Sequence, residues 1–364
     1  MPTSTPSEAD LAPAIAAFIA AEDPRDEAFD AVARQLFGYQ YVNNLPYRRY
    51  CDLLGVTPDN IAHWTQIPAA PAAAFKEHSL TCVPPEAAQC VFHSSGTTGR
   101  AASRHYLSAH ALALYNQSLR AGFNRFVLPD GARLPLWALV PPPQEAPHSS
   151  LSYMIRSLMD ADPRSSHRFF WRHDGPDTTA LAAALRSCAE PVILFGTAFA
   201  WVLFFDACPD VFRLPPGTRV LETGGFKGRT REIPADELYS LFTHRLGVPP
   251  SHCLAEYGMS EMCSQAYDST LVDALAGRCL PRRKLGPPWL RTRVIDPRTG
   301  TDAAPGETGI LCHYDLANLN SVLAIETEDL GARLLDGFQL RGRVPRSELR
   351  GCSLTAEEWH ARRR

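Results

Sequence analysis

Apolar positions along the chain follow two patterns, and the change between them divides it. In the first ninety residues Phe29, Val32, Ala33, Leu36 and Phe37 recur at i, i+3, i+4, i+7 and i+8. That spacing lays one apolar stripe along a helix. Asp23-Pro24 before the stripe and Gly38 after it supply the expected start and stop. Tyr39, Tyr41, Tyr47 and Tyr50 follow as packing residues, and Pro68, Pro71, Pro84 and Pro85 cut the next stretch into short pieces. From about residue 88 short apolar runs alternate with helical stretches. AQCVFH (88–93), LPLWALV (134–140), EPVILFG (190–196), TRVLETGG (218–225) and HCLAEYG (252–258) each read as a buried strand entering a Gly- or hydroxyl-bearing turn. ADELYSLFTHRLG (235–247) places Leu238, Leu241, Phe242 and Leu246 on one helical face, with Gly247 as its C-terminal cap. Alternation of this kind predicts an α/β fold with sites at the carboxyl ends of the strands. After about residue 285, RTG and PGETG turns between short strands predict a β-rich subdomain.

Composition narrows the class. The 364 residues are 45% hydrophobic and 21% charged with a net charge of −3, so the chain has a core and is not disordered. A near-neutral chain lacks the basic field of a non-specific nucleic-acid binder, and nucleic acid is excluded as a partner. The first residues, MPTSTPSEAD, carry no basic stretch, so no secretory signal is expected. The longest apolar run, Pro191 to Phe205, is closed by Glu190 and Asp206 and falls short of the ~20 residues that span a bilayer. Ten cysteines at irregular spacing, with no C-x-x-C pair and no HExxH, predict reduced thiols, a cytoplasmic location and no structural zinc. Of 36 basic residues only Lys76, Lys227 and Lys284 are lysine, so chemistry that needs an amine has three candidates.

Three segments carry candidate chemistry. His93-Ser94-Ser95-Gly96-Thr97-Thr98-Gly99-Arg100, followed by Ser103-Arg104-His105-Tyr106, joins a strand to a helix. Hydroxyls and glycines in that context can wrap an anion and cradle phosphate, and a polar turn is the competing reading. It is neither a Walker loop nor a G-x-G-x-x-G fingerprint. In Glu222-Thr223-Gly224-Gly225-Phe226-Lys227-Gly228-Arg229 the paired glycines admit close approach of a flat ligand or phosphate, with bases beside them. In Glu256-Tyr257-Gly258-Met259-Ser260-Glu261, Tyr257 is suited to stack on a base and Ser260 to bond phosphate. Glu261 offers oxygen ligands to magnesium.

Together these motifs, with Thr327-Glu328-Asp329-Leu330-Gly331 and Gly342-Arg343 behind them, occur in the order of the adenylate-forming acyl-activating superfamily. Within it the chain most resembles the LuxE-type acyl-protein synthetases, the long-chain-fatty-acid–protein ligases. FHSSGTTG with SRHY, ETGGFKGRTRE and EYGMSEMCSQAYD carry the resemblance, and LFGYQYVNNLPYRRYC and IPAAPAAAFK extend it over nearly the whole chain.

The resemblance implies a fold like the N-terminal domain of adenylate-forming enzymes, an α/β architecture of Rossmann-like sheets. It implies a helical region over 1–90 packed on the core, a nucleotide- and acyl-binding core over 91–285, a β-rich subdomain over 286–335 and a tail over 336–364. It implies ATP and Mg²⁺ as cofactors. Ser94, Ser95, Gly96, Thr97, Thr98 and Gly99 would hold the ATP phosphates, while Gly224, Gly225 and Gly258 line the nucleotide and Tyr257 lies against adenine. Ser260 would contact the α-phosphate, Glu261 would ligate Mg²⁺, Asp329 would bond the ribose and Arg343 the nucleotide. A carboxylic or fatty acid would become an acyl adenylate. Cys352 in RGCS, near Arg341, Arg343 and Arg346 that favour its thiolate, would take the acyl group as a thioester. An acyl-accepting partner, a reductase or a carrier protein, would receive it, and oligomerisation stays open.

Departures from the superfamily pattern sharpen these expectations. Ser260 replaces the usual Thr and keeps its hydroxyl, Glu328 stands where Gly is common, and Arg100 stands where a lysine is common. The mobile C-terminal lid that carries a catalytic lysine is expected to be reduced to the cysteine tail, which turns attention to Lys227 as a source of phosphate charge. The run VILFGTAFAWVLFF (192–205) predicts a strand entering an apolar helix beside the acyl pocket, with Phe195, Gly196 and Phe199 as lining residues. Two competing readings remain: a coenzyme A or acyl-carrier-protein ligase of the phenylacetate-CoA-ligase type, and a non-catalytic nucleotide-binding scaffold.

Overall fold

The computed structural model describes residues 6–94, 102–163, 166–173, 175–224 and 231–344. The described residues form two compact units that are discontinuous in sequence. Unit 1 draws on 1–121, 259–265 and 283–364, and unit 2 on 122–258 and 266–282.

Unit 1 begins with three helices: α1 (Glu8–Ala20), α2 (Asp26–Asn43) and α3 (Leu45–Leu53). Ser7 caps α1, its hydroxyl accepting from the Asp10 amide while Asp10 accepts from the Ser7 amide at 2.9 Å. The apolar stripe of α2 is buried at Phe29, Ala33, Leu36 and Phe37 as its spacing predicts. Gly38, however, does not end the helix, which continues to Asn43. The cost of an internal glycine, ~1 kcal/mol, is outweighed two residues on. There the buried Gln40 side chain donates to the Asn318 carbonyl at 2.7 Å and accepts from the Leu323 amide at 2.8 Å. The chain breaks instead at Asn44, whose side chain caps α3 through the Tyr47 amide, with Pro46 in the first turn.

Behind these helices lies an antiparallel sheet in the order Leu290–Ile295, Thr308–Asp315, Ala324–Leu334, Gly337–Arg343 and Lys284–Leu285. Gly300 and Gly306, both with positive φ, sit in the expected turns. The dipeptide Ala70–Pro71 joins Ala324–Leu334 in parallel, and Cys90–His93 pairs with Arg104–Leu107 as a separate hairpin. Residues 316–323 are irregular yet wholly buried. Buried backbone without a ladder needs side-chain partners. Gln40 supplies them, Asn44 donates to the Ser321 carbonyl, and Asn318 Nδ2 donates to the Val322 carbonyl at 2.9 Å.

Unit 2 holds the parallel strands Arg168–Phe169, Leu136–Leu139, Ile193–Thr197, Arg219–Thr223 and Cys253–Tyr257 in that spatial order, with Ala266–Asp268 antiparallel at the end. Leu136–Leu139, Ile193–Thr197, Arg219–Thr223 and Cys253–Tyr257 are predicted apolar runs, whereas Arg168–Phe169 and Ala266–Asp268 are not among them. Such near-continuous apolar strands are what a sheet covered on both faces requires. Thr197 caps the helix Ala198–Ala207, which is apolar all round and packs into the core through Phe199, Trp201, Phe204 and Phe205. The helix Ala235–Leu241 widens into a π turn over Phe242–Leu246 and ends at Gly247 with φ +74°, the predicted left-handed cap. Among the described residues nine cysteines are free thiols, and no helix is long and apolar enough to cross a membrane.

Candidate active site

In unit 1 the hydroxyl-rich loop is gripped at its stem. The Ser94 amide donates to the Ser103 carbonyl at 3.1 Å, and the Ser103 amide donates back to the Ser94 hydroxyl at 3.0 Å. The hairpin Cys90–His93 with Arg104–Leu107 sets this register. Ser103 is buried and its hydroxyl donates to Glu261 Oε1 at 2.5 Å, while the Ser260 hydroxyl reaches the His93 carbonyl at 3.5 Å. The stem of the loop and the Ser260-Glu261 pair, more than 150 residues apart in sequence, thus form one cluster. Residues 95–101, which hold Ser95, Gly96, Thr97, Thr98 and Gly99, lie outside the described residues.

Glu261 is 5% exposed, and burial pushes its carboxyl above the ordinary range. The Ser103 hydroxyl and the charge of Lys76 oppose that rise, whereas the Glu328 carboxylate adds to it. Beneath the carboxylate runs a second tier. Asn318 donates to the Glu261 carbonyl at 2.9 Å, and its Oδ1 lies 3.0 Å from His105 Nε2. Burial holds His105 neutral, with its pKa lowered to about 4. Asp315, raised to about 6 by burial, accepts from the Cys263 amide at 2.8 Å and the Ser264 hydroxyl at 2.6 Å. Through these bonds the turn after Glu261 is fixed to the sheet.

Asp329 and Arg343 face each other across adjacent strands, Arg343 Nε donating to Asp329 Oδ1 at 2.8 Å. The Arg343 side chain is 77% exposed and the Asp329 side chain 16%. The Asp329 amide donates to the Thr327 hydroxyl at 3.0 Å.

In unit 2 the predicted ligand segments leave the carboxyl ends of parallel neighbours. Thr223 and Glu256 are opposite in register, and the Thr223 hydroxyl donates to the buried Glu256 carboxylate. This bond clamps the two strand ends from which Gly224 and Tyr257-Gly258 emerge. Gly224 has φ +66° and an open surface where a side chain would stand, the freedom expected of a glycine at a close approach. Gly258 is exposed and Tyr257 is buried at 9% exposure. Gly225 and Lys227 lie outside the described residues, as does Cys352.

Gly196 has a packing reason of its own. A Cβ there would stand 2.9 Å from Trp201 Nε1 and 3.2 Å from Leu139 Cβ. Phe195 is fully buried, and Phe199 sits in the core with its ring edge-to-face on Trp171 at 6.2 Å. The chain leaves Leu136–Leu139 for one neighbour, Arg168–Phe169, and returns to its other neighbour, Ile193–Thr197. Gly196-Thr197 therefore ends a strand at a switch in strand order, where open α/β sheets bind ligands.

A family model described as acyl-protein synthetase, LuxE, matches residues 7–359. The chain belongs to that family. A long-chain-fatty-acid–luciferin-component ligase of Vibrio harveyi is 22% identical over 337 residues, covering 88% of this chain and 85% of its own. The corresponding ligase of Aliivibrio fischeri is 21% identical over 316 residues, covering 85% and 80%. An open conformation of 2-hydroxyisobutyryl-CoA ligase, solved with 2-HIB-AMP and CoA, matches with a TM-score of 0.64 at 16% identity. The match covers 88% of this chain and 75% of that one, and shows a shared fold. As a member of the LuxE family the protein is an acid-activating ligase.

Within unit 1 of this LuxE ligase, Ser103, His105, Asp315 and Asn318 fix the Ser260-Glu261 turn. Within unit 2, Glu256 clamps the strand end at Thr223. None of them was assigned a role from the sequence. Ser103 and His105 lie in the SRHY stretch already singled out. Asn318 and Asp315 are visible only through their partners in space.

Proposed function

We propose that this LuxE-family ligase uses ATP to activate a long-chain fatty acid as its acyl adenylate, and then transfers the acyl group to Cys352 and on to a partner protein. The carboxylate oxygen attacks the α-phosphorus, the bond to the bridging oxygen breaks, and pyrophosphate leaves. The Cys352 thiolate then attacks the acyl carbonyl carbon, and AMP leaves as the thioester forms. A thiol of the partner, which is a reductase or a carrier protein, completes the transfer.

The buried Glu261 carboxylate, tied through Ser103 to the stem of the hydroxyl loop, carries this reading. Residues Ser94 to Gly99 bind the phosphates, Ser260 contacts the α-phosphate, Tyr257, Gly258, Gly224 and Gly225 receive the base, and Asp329 with Arg343 holds the ribose side. The donor set suits Mg²⁺. Glu261 is a hard oxygen ligand. Mg²⁺ characteristically takes one or two carboxylates and completes its shell with water and substrate phosphates. Bound there, it would neutralise phosphate charge. Lys227 and its arginine neighbours add positive charge, and the strand end at Phe195, Gly196 and Phe199 borders the acyl chain.

The names of the Vibrio and Aliivibrio relatives support the fatty acid and the protein acceptor. The test is acid-dependent exchange of labelled pyrophosphate into ATP, followed by denaturing gels with labelled acyl substrate. Label retained by the wild type and lost in Cys352→Ser supports the full sequence. Exchange without covalent label, and acyl product only when coenzyme A or a carrier protein is added, would replace it by the thiol-ligase reading.

A further inference from the structure

Resting on the proposed adenylation, we propose that Asn318 is the positioning residue that aims Glu261 at the metal. It holds the backbone of Glu261 so that one carboxylate oxygen stays with Ser103 and the other is left for Mg²⁺.

The two oxygens of Glu261 are not equivalent. Oε1 accepts from the Ser103 hydroxyl, whereas Oε2 accepts no hydrogen bond from another described residue. In a side chain 5% exposed, a carboxylate oxygen left without a partner is costly. A hard cation is the partner its chemistry fits. Ser103 fixes only the tip of a side chain with three torsions. Where the second oxygen points depends on the path of the backbone.

Asn318 fixes that path. It is fully buried, and its amide is engaged at both ends. Nδ2 donates to the Glu261 carbonyl at 2.9 Å and to the Val322 carbonyl at 2.9 Å. Two carbonyls can be met only by the NH₂ end, so Oδ1 must face His105 Nε2 at 3.0 Å, and Nε2 carries the proton. The Asn318 main chain is tied down as well. Its carbonyl accepts from Gln40 Nε2 at 2.7 Å, and its amide donates to the Asp315 carbonyl at 3.1 Å. The Asp315 side chain takes the Cys263 amide at 2.8 Å. The chain is thus held at 261 and again at 263, from a support that α2 anchors through Gln40.

A carboxylate turned away keeps its charge and loses the metal. Groups bonded behind a metal ligand accordingly change metal affinity, typically by about 10- to 100-fold.

Calorimetric binding of the non-cleavable analogue α,β-methylene-ATP, titrated over Mg²⁺ and repeated in EDTA, separates aim from fold. Asn318→Asp keeps the side-chain shape and turns its double donor into an acceptor facing two carbonyls. It should raise the Mg²⁺ concentration for half-maximal binding about 10- to 100-fold, leave binding in EDTA at the wild-type level and lower the melting midpoint. His105→Leu is the milder variant should Asn318→Asp not fold. It leaves both carbonyls bonded but Oδ1 without the imidazole, and should shift the Mg²⁺ response in the same direction. His105→Gln, which keeps a donor, should restore most of the wild-type response. Equal weakening with and without Mg²⁺, or a wild-type Mg²⁺ response in the folded variants, overturns the inference. A wild type that binds the analogue but shows neither a Mg²⁺ response nor acid-dependent pyrophosphate exchange overturns the adenylation reading, and the inference with it.

Discussion

The bond between Ser103 and Glu261 offers the sharpest test of how the site is built. Ser103 is 1% exposed and Glu261 5%, and 2.5 Å separates the hydroxyl from Oε1. Water cannot readily replace the hydroxyl in Ser103→Ala, so the carboxylate loses a donor outright. A hydrogen bond to a charged group contributes about 1.5–3 kcal/mol, against about 0.5–1.5 kcal/mol for a neutral one. Urea denaturation of Ser103→Ala should therefore show a loss of about 1.5–3 kcal/mol. The same change made in a Glu261→Gln background should cost about 1 kcal/mol less, because the charge it served is gone. Pyrophosphate exchange should echo the coupling. Glu261→Gln alone and the double variant should be equally poor, since the two groups act as one unit. Additive losses in both assays, or a Ser103→Ala protein within about 0.5 kcal/mol of wild type, would refute the reasoning.

Other perturbations read other parts of the structure. Gly196→Ala should destabilise by about 1–3 kcal/mol, because the methyl displaces Trp201, whose indole donates to the Leu221 carbonyl at 3.3 Å; equilibrium unfolding measures it, and an unchanged midpoint contradicts the packing account. Arg343→Ala should leave stability within about 1 kcal/mol, as an exposed ion pair allows, while raising the KM for ATP about tenfold; an unchanged KM removes Arg343 from the nucleotide site. His313 is buried and neutral with its pKa lowered to about 3. The unfolded chain then binds its proton more readily than the folded one, so stability falls with pH between about 6.5 and 3, by up to about 1.4 kcal/mol per pH unit. His313→Gln should flatten that fall in melting experiments from pH 6 to 4, and an equally steep fall would show that other groups set it.

Much of the fold was legible because it is written in local pattern. Five apolar runs became five strands, and Gly247, Gly300 and Gly306 took the left-handed turns that only glycine adopts cheaply. Gly38 misled because the local cost of glycine is small beside two buried hydrogen bonds made by Gln40 two residues further on. The candidate site was legible as motif but not as mechanism. Ser94, Ser260 and Glu261 were named from their chemistry, and unit 1 brings them together. What joins them is Ser103 at a separation of 158 residues from Glu261, with Asn318 and Asp315 contributed by a buried irregular segment. Neither periodicity nor composition encodes such pairings. The clamp between Thr223 and Glu256 escaped for the same reason, since only the parallel register of their strands makes them neighbours.

Exchange of labelled pyrophosphate into ATP, driven by a panel of carboxylic acids, tests the central claim most directly. The account predicts that the wild type exchanges only when an acid is present and prefers long-chain acids. It also predicts that Glu261→Gln, folded by its melting curve, loses at least about 100-fold of that rate. A folded wild type without acid-dependent exchange, or a Glu261→Gln protein that exchanges at the wild-type rate, would contradict it.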